Sequence, residues 1–203
     1  MDAEAWDDRY RSSELVWSAG PNQFVEAELA DLPPGRAVDL AAGEGRNAIW
    51  LARRGWQVTA VDFSQVALDK GHEIAEDLAV QWVCADVTTW REDSSYDVSV
   101  VAYLQLPAAP RRAALRNAFA ALRPGGTLLV VAHDSTNLTE GTGGPQDPDV
   151  LMTADDVLAD LDGESFVVVR ADRVGRAVAE PDGGSRTAYD ALVRVVRSGE
   201  LPG

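Results

Sequence analysis

Three short apolar runs, "RAVDLAA" (36–42), "WQVTAVD" (56–62) and "VQWVCAD" (80–86), carry an aspartate at or next to their C-terminal ends, and helix-like stretches separate them. Two more runs follow, "YDVSVVAYLQ" (96–105) and "TLLVVAHD" (127–134), again with a helical stretch between. Strands that alternate with helices return in the same direction and build a parallel sheet covered on both faces. The near-continuous apolar character of "SVVAYL" and "LLVVA" suits strands buried on both sides. At the end of the chain, 165–178 and 185–196 flank "EPDGG", which reads as a hairpin turn between two strands. The expected fold is therefore α/β, a doubly wound, mostly parallel seven-stranded sheet with an antiparallel hairpin at its C-terminal edge.

The helical stretches have their own punctuation. Residues 22–32 place Phe24, Val25, Leu29 and Leu32 at helical spacing before "PPG". The stretch 46–55 closes on Gly55, and 64–78 has Ser64 as N-cap, with Gly71 as its weak point. Residues 110–122 form a helix with a proline in the first turn, and "RPGG" reads as a tight turn. Residues 153–161 resemble a capping box, with Thr153 as N-cap and Asp156 in place of the usual glutamate. The stretch 135–150 reads as a loop.

Composition narrows the functional classes. A length of 203 residues fits a single domain, and 18 Lys+Arg against 33 Asp+Glu give a formal charge of −15. Such a surface repels phosphate backbones and anionic lipid, so neither nucleic acid nor membrane is expected as a partner. The N-terminus opens with acids, so no secretory signal is expected, and Cys84 stands alone, which fits a reducing, cytoplasmic setting. Two histidines and one cysteine leave little for a zinc site.

The stretch "VDLAAGEGRNAIWLA" (38–52) is a strand, a small-residue loop and a helix. Ligands of such sheets bind outside the carboxyl ends of the strands, here at residues 41–47. Gly43 and Gly45 leave room for close backbone approach. "GEGRNA" matches the dinucleotide pattern G-x-G-x-x-A, and Asp62 lies about 20 residues on, where a ribose-binding acid is expected. A plain strand–helix turn is the bland alternative. Asp39 favours S-adenosylmethionine (SAM) over NAD, because a carboxylate there attracts an ammonium and repels a pyrophosphate. Asp86 adds a third strand-end acid, able to accept from an adenine amino group.

These residues resemble the class I SAM-dependent methyltransferase superfamily. "VDLAAGEGR" is similar to its first motif, "YDVSVVAYL" to its fourth-strand motif, and "LRPGGTLLVV" to its turn and fifth strand. The resemblance covers residues 35–135 well and the C-terminal hairpin loosely. It implies a Rossmann-like sheet, SAM as cofactor and S-adenosylhomocysteine as product. It places Asp62 at the ribose hydroxyls and Asp86 near adenine, and it puts Asp39, Ala41, Gly43, Gly45, Asn47, Phe63, Val87 and Ala102 around the cofactor. Ala41 departs from the usual glycine, and a methyl group is tolerated there if φ is negative. The N-terminal "WDDRY" and "VWSAGPN" are similar to small tellurite-resistance and thiopurine methyltransferase-like enzymes. By that resemblance Trp6, Tyr10 and Trp17 form an aromatic lid over SAM. The i, i+4 spacing of Trp6 and Tyr10 equally suits plain core packing.

The expected organisation is one domain over 1–203. Residues 1–30 form the lid helix, 35–135 the SAM-binding core, and 136–203 a substrate loop, helix and hairpin. His133 and Tyr103 leave strands at the correct edge and are the candidate catalytic residues, although His133 reads equally as a structural histidine. His72 reads as a surface residue. The expected activity is methyl transfer to a small molecule by a monomer or homodimer; the resemblance implies a sulfur, selenium or tellurium nucleophile, with an oxygen or nitrogen acceptor as the alternative. The rivals are an NAD(P)-dependent oxidoreductase, which lacks a Tyr-x-x-x-Lys pair around the single Lys70, and a non-catalytic SAM-binding regulator.

Overall fold

In a computed structural model the chain forms a seven-stranded sheet of order β3-β2-β1-β4-β5-β7-β6. The structure describes residues 3–12, 20–180 and 183–199. The strands are β1 (Arg36–Leu40), β2 (Gln57–Asp62), β3 (Val80–Cys84), β4 (Tyr96–Ala102), β5 (Leu122–His133), β6 (Phe166–Ala179) and β7 (Ser185–Arg197). The helices are α1 (Ala3–Arg11), α2 (Gln23–Leu29), α3 (Arg46–Arg53), α4 (Gln65–Ala75), α5 (Ala108–Ala120), the single turn α6 (Asn137–Glu140) and α7 (Ala154–Asp160). β1 to β5 pair in parallel, β7 joins β5 antiparallel, and β6 closes the edge against β7. This is the doubly wound, mostly parallel sheet that the alternation of runs predicts.

Alternate residues of the central strands serve two cores. Val38, Leu40, Leu128 and Val130 pack with Leu115 and Phe119 of α5 and with Val157 and Leu161 of α7. Ala37, Val98, Leu129 and Val131 pack with Val25 and Leu29 of α2 and with Leu51 of α3. Each fully buried aliphatic side chain contributes roughly 1.5–3 kcal/mol, and burial on both faces is why these strands lack polar alternation.

The caps follow the sequence. Asn22 Oδ1 accepts from Phe24 N–H (2.8 Å) and Val25 N–H (3.3 Å) to start α2. Ser64 Oγ accepts from Ala67 N–H (3.2 Å) to start α4. Thr153 Oγ1 accepts from Asp156 N–H, and Asp156 returns the bond to Thr153 N–H at 2.8 Å, a complete capping box with aspartate in the glutamate's place. Gly55 holds a φ of +88°, the left-handed geometry that ends α3.

Three expectations are corrected. "RPGG" is not a free turn between elements: β5 begins at Leu122 opposite Tyr96, and the register slips before Val98 meets Thr127, so these residues are taken up in the strand as an irregularity. The stretch 135–150 is not wholly loop, because it contains α6 and a 3-10 turn at Pro148–Val150. Gly71 has a packing reason: a Cβ there would stand 2.5 Å from the Trp82 ring and 2.8 Å from the Glu44 carbonyl oxygen. A glycine in mid-helix is the cost of bringing α4 onto the loop after β1.

The lower face is pinned by Asp160, whose side chain is 1% exposed. It accepts from Arg111 Nε (2.6 Å) and Arg112 Nε (3.1 Å), tying α7 to α5. Replacing Asp160 by alanine strands the buried Arg111 guanidinium. Asp160→Ala is expected to lower unfolding free energy by about 3–5 kcal/mol in urea titrations, against a few tenths for an exposed aspartate such as Asp155.

Candidate functional site

All parallel strands end on one side, and the connections reverse between β1 and β4, which opens a crevice there. Beyond β1 the chain turns through Ala41 (φ +58°) and Gly43 (φ +56°). Ala42 N–H donates to the Val61 carbonyl at 3.1 Å, and Gly43 N–H donates to Asp62 Oδ2 at 2.8 Å. Asp62 Oδ1 accepts from Ser64 N–H at 2.9 Å. Burial pushes the Asp62 carboxyl above its ordinary range, against the pull of these N–H groups. Together with Ala41, Asn47, Phe63 and Ala102, Asp62 lines a cavity of about 70 Å³ covered by Trp6 and Tyr10 of α1. Asn47 Oδ1 also accepts from Asn22 N–H at 2.9 Å, which holds α2 to the start of α3.

The condition of a negative φ at Ala41 is not met, since its φ is +58°. A left-handed alanine costs roughly 1–2 kcal/mol relative to a relaxed backbone, and the surrounding bonds hold it there. Gly45 has a different role from the one expected. Its φ is +73°, and a Cβ on it would meet the Trp82 ring at 2.3 Å, so it serves the packing of α3 on β3 rather than the cavity wall.

Asp39 does not line the cavity. It is 1% exposed, and its Oδ2 accepts from Ala48 N–H, the third residue of α3, at 3.1 Å. It therefore caps α3, which begins after Gly45 with no side-chain cap of its own. Burial pushes its carboxyl up to about 7, against the Ala48 bond and the Arg46 charge, while nearby Asp62 adds to the rise. Asp86 stands exposed at the neighbouring strand end, where its Oδ1 accepts from Thr88 N–H and Oγ1, each at 2.8 Å. Val87 points into the core, and its carbonyl accepts from Asn117 Nδ2 at 2.8 Å. Of the three acids, only Asp62 faces the cavity. Trp17 lies outside the described residues.

α1 lies across this crevice. Tyr10 is 4% exposed and stacks on Trp6 with centroids 5.7 Å apart. Asp7 accepts from Ser64 Oγ, and Lys70 Nζ donates to the Tyr10 carbonyl. His72 is exposed, as expected.

A second group of residues adjoins the cavity. Tyr103, at φ +60°, leaves β4 in a conformation rare for a bulky residue, held by its N–H on the Val131 carbonyl at 2.7 Å. Its hydroxyl donates to Asp190 Oδ2 at 2.9 Å, and Arg176 Nε donates to the same oxygen at 2.9 Å. His133 stacks on the Tyr103 ring at 4.5 Å. Its Nδ1 lies 3.3 Å from Asp190 Oδ1, off hydrogen-bond direction, and both atoms are buried with no other partner among the described residues. Burial opposes ionisation of Asp190, but the imidazole alongside, the guanidinium and the phenol outweigh it and hold the carboxyl below its ordinary range. Burial, with the Asp190 charge, pushes the Tyr103 phenol up to about 12. Tyr103 is therefore a fixed donor to Asp190.

His133 and Arg176 line a larger cavity of about 540 Å³, whose walls Trp6 and Gln105 share with the first. Arg176, Asp190 and Arg46 were not singled out from sequence. β7 is covered on both faces, so an aspartate between Tyr189 and Ala191 carried no periodic signal.

The Asp39 carboxyl gives a pH test. Its folded value near 7 against an ordinary 3.8 means that, between those values, the folded chain keeps a proton that the unfolded chain has lost. Stability therefore falls as pH rises through that window. Asp39→Asn is expected to flatten this slope and to gain on the order of 1–3 kcal/mol at pH 8, read from urea midpoints at pH 5 and 8. Ala41→Gly is expected to gain up to about 1 kcal/mol at either pH.

A family model described as a methyltransferase domain matches residues 37–126. The chain is 34% identical over 127 residues to a demethylmenaquinone methyltransferase of Clavibacter sepedonicus, covering 60% of this chain and 52% of that one. It is 33% identical over 125 residues to a tRNA 5-carboxymethoxyuridine methyltransferase of Escherichia coli, covering 57% and 48%. The chain thus spans about half the length of these curated relatives. Among solved structures, one described by the conversion of a disulfide bond into a thioacetal group during echinomycin biosynthesis superposes with a TM-score of 0.75 at 21% identity, covering 98% of this chain and 94% of that one. In its matched segment, its sheet order and its crevice, the chain resembles a class I SAM-dependent methyltransferase.

Proposed function

We propose that the chain transfers a methyl group from SAM to a small-molecule acceptor, with His133 receiving the proton that the acceptor gives up. The observation that carries this reading is a donor crevice joined by shared walls to a larger cavity that His133 lines. Residues 35–135 form the donor half and 136–203 much of the acceptor half.

The residues present fit the cofactor. The Asp62 carboxylate holds backbone N–H groups of its own loop and lines the cavity, where its remaining acceptor capacity suits a ribose hydroxyl. The Asp39 carboxylate behind the loop favours a cationic ligand, and a cation that binds favours its ionised form. NAD fits less well, because Asp39 already places a carboxylate at the α3 N-terminus where a pyrophosphate would sit. A volume of about 70 Å³ is too small for such a ligand, so α1 would lift and re-close as a lid. Its polar tethers to Ser64 and Lys70 would exchange in that movement.

When bound, SAM supplies a methyl group on a sulfonium: the S–CH₃ bond breaks, a bond to the acceptor forms, and S-adenosylhomocysteine leaves. The chain contributes alignment, exclusion of water by Trp6 and Tyr10, and a base. A small turn of the imidazole would let Nδ1–H donate to Asp190 Oδ1, fixing the tautomer with Nε2 as acceptor. A small acceptor suits a cavity of about 540 Å³, and the charge of −15 opposes an RNA backbone, although one relative is named for tRNA. No helix of the described residues is long and apolar enough to cross a membrane.

Calorimetry with S-adenosylhomocysteine and with NAD tests the reading. Binding of the first and not the second is expected, and Asp62→Ala is expected to weaken it at least about tenfold. Tight NAD with no S-adenosylhomocysteine would overturn it. With labelled SAM and a panel of thiols, phenols and amines, His133→Gln is expected to lower turnover of an oxygen or nitrogen acceptor by roughly 10²–10⁴ and to leave a thiolate acceptor within about tenfold. Cofactor binding without transfer to any acceptor would favour a regulator.

A further inference from the structure

We infer that the 540 Å³ cavity takes an acceptor with an apolar body and a carboxylate, and that Arg176 holds the carboxylate. The inference rests on the reading of the adjoining crevice as the donor site and names the acceptor class for it.

The cavity exists because the hairpin is longer than the sheet it joins. β5 and β7 pair from Thr127↔Val196 to His133↔Asp190, and there β5 ends. β6 and β7 continue together to Ala179↔Ser185, so the pair overhangs the crevice. On this overhang Val174, Arg176 and Val178 are the partly buried positions of β6, while Gly175, Ala177 and Ala179 are exposed. Period-two alternation therefore sends Arg176 and Val178 to the same face, and both line the cavity. Trp6, Pro145 and Val150 supply apolar wall opposite them.

Charge decides the class of ligand. The chain carries −15 overall, so an anion is repelled by most of its surface. Around this crevice arginines gather: Arg46 and Arg176 meet in one adjoining recess with Tyr103 and His133, Arg176 being paired with the buried Asp190, and Arg9 lines the large cavity. Arg176 donates through Nε to the fully buried Asp190, which fixes the plane of the guanidinium, and a further side-chain hydrogen bond joins it to Tyr103. Its two terminal nitrogens form the edge of the fork, the geometry that takes a carboxylate with two parallel hydrogen bonds. Asp147 is the one acid among the residues lining this cavity, and it is exposed and accepts from Asp149 N–H at 3.0 Å as the cap of a 3-10 turn. An exposed, already engaged carboxylate competes weakly with a guanidinium set rigidly in the wall. Arg176 is thus a specificity-determining residue: it orients the acceptor, and His133 faces the same space.

Matched probes test this. Benzoate, phenylacetate and hexanoate, each beside its amide, are titrated by calorimetry into the full chain saturated with S-adenosylhomocysteine. Each carboxylate is expected to bind at least about tenfold more tightly than its amide. Arg176→Gln is expected to erase the difference, and Arg176→Lys to keep part of it, since the charge remains and the fork is lost. In the unaltered protein the carboxylates are expected to weaken between 50 mM and 500 mM salt while the amides do not. Equal affinities, a preference that survives Arg176→Gln, or no binding of any probe would overturn the assignment. Should the glutamine variant not fold, the salt titration alone decides. The affinity for S-adenosylhomocysteine is read separately: its absence sinks the donor-site reading, whereas the carboxylate preference, then measured without it, stands or falls by itself.

Discussion

The reversal of connections between β1 and β4 is the constraint on which the other features rest. Two neighbouring parallel strands whose following helices leave to opposite faces cannot both have their ends covered. The gap leaves β1's loop, β2's last residue and β4's first turn facing one space. The strand-end residues of the candidate donor site are placed by that gap. Asp62 reaches it from the end of β2, Ala41 from the loop after β1, and Ala102 and Tyr103 from the end of β4.

The same region holds the chain's least relaxed features. Ala41 and Tyr103 have φ values of +58° and +60°, on the two strands that border the gap. Asp39 is buried with its carboxyl raised to about 7. Backbone strain and a buried acid both cost stability, and the sheet on either side supplies it through the two apolar cores. The pattern fits a surface organised to receive a cation and stabilise the chain further once it has done so.

The hairpin adds what the parallel sheet lacks. By outrunning β5, β6 and β7 carry a wall past the strand ends and place Arg176 and Asp190 beside His133. Asp190 is the shared partner of Tyr103 and Arg176 and lies 3.3 Å from His133, so one fully buried carboxylate sets the geometry of a cluster drawn from four elements. The imidazole at the end of β5 is held beside it by stacking on the Tyr103 ring.

Local signals in the chain determined its elements. Ser64, Asn22 and the Thr153–Asp156 pair mark helix starts because each satisfies orphan N–H groups within three residues of itself. Unbroken apolar runs mark buried strands because both faces are covered. The loop after β1 and the acid that ends β2 were legible as strand ends because each closes an apolar run, but Asp39 and Gly45 within that loop serve α3 and its packing. Contacts between distant segments were decided only by tertiary structure. Gly45 and Gly71 are glycines because Trp82, far from Gly45 in sequence, fills the space of both Cβ atoms. Asp39 turns to cap α3, Val87 turns inward, and Asp190 meets Tyr103 across 87 positions. Propensity and spacing act over one turn or one strand, whereas the direction of a side chain and the burial of a charge follow from which elements the sheet order makes neighbours.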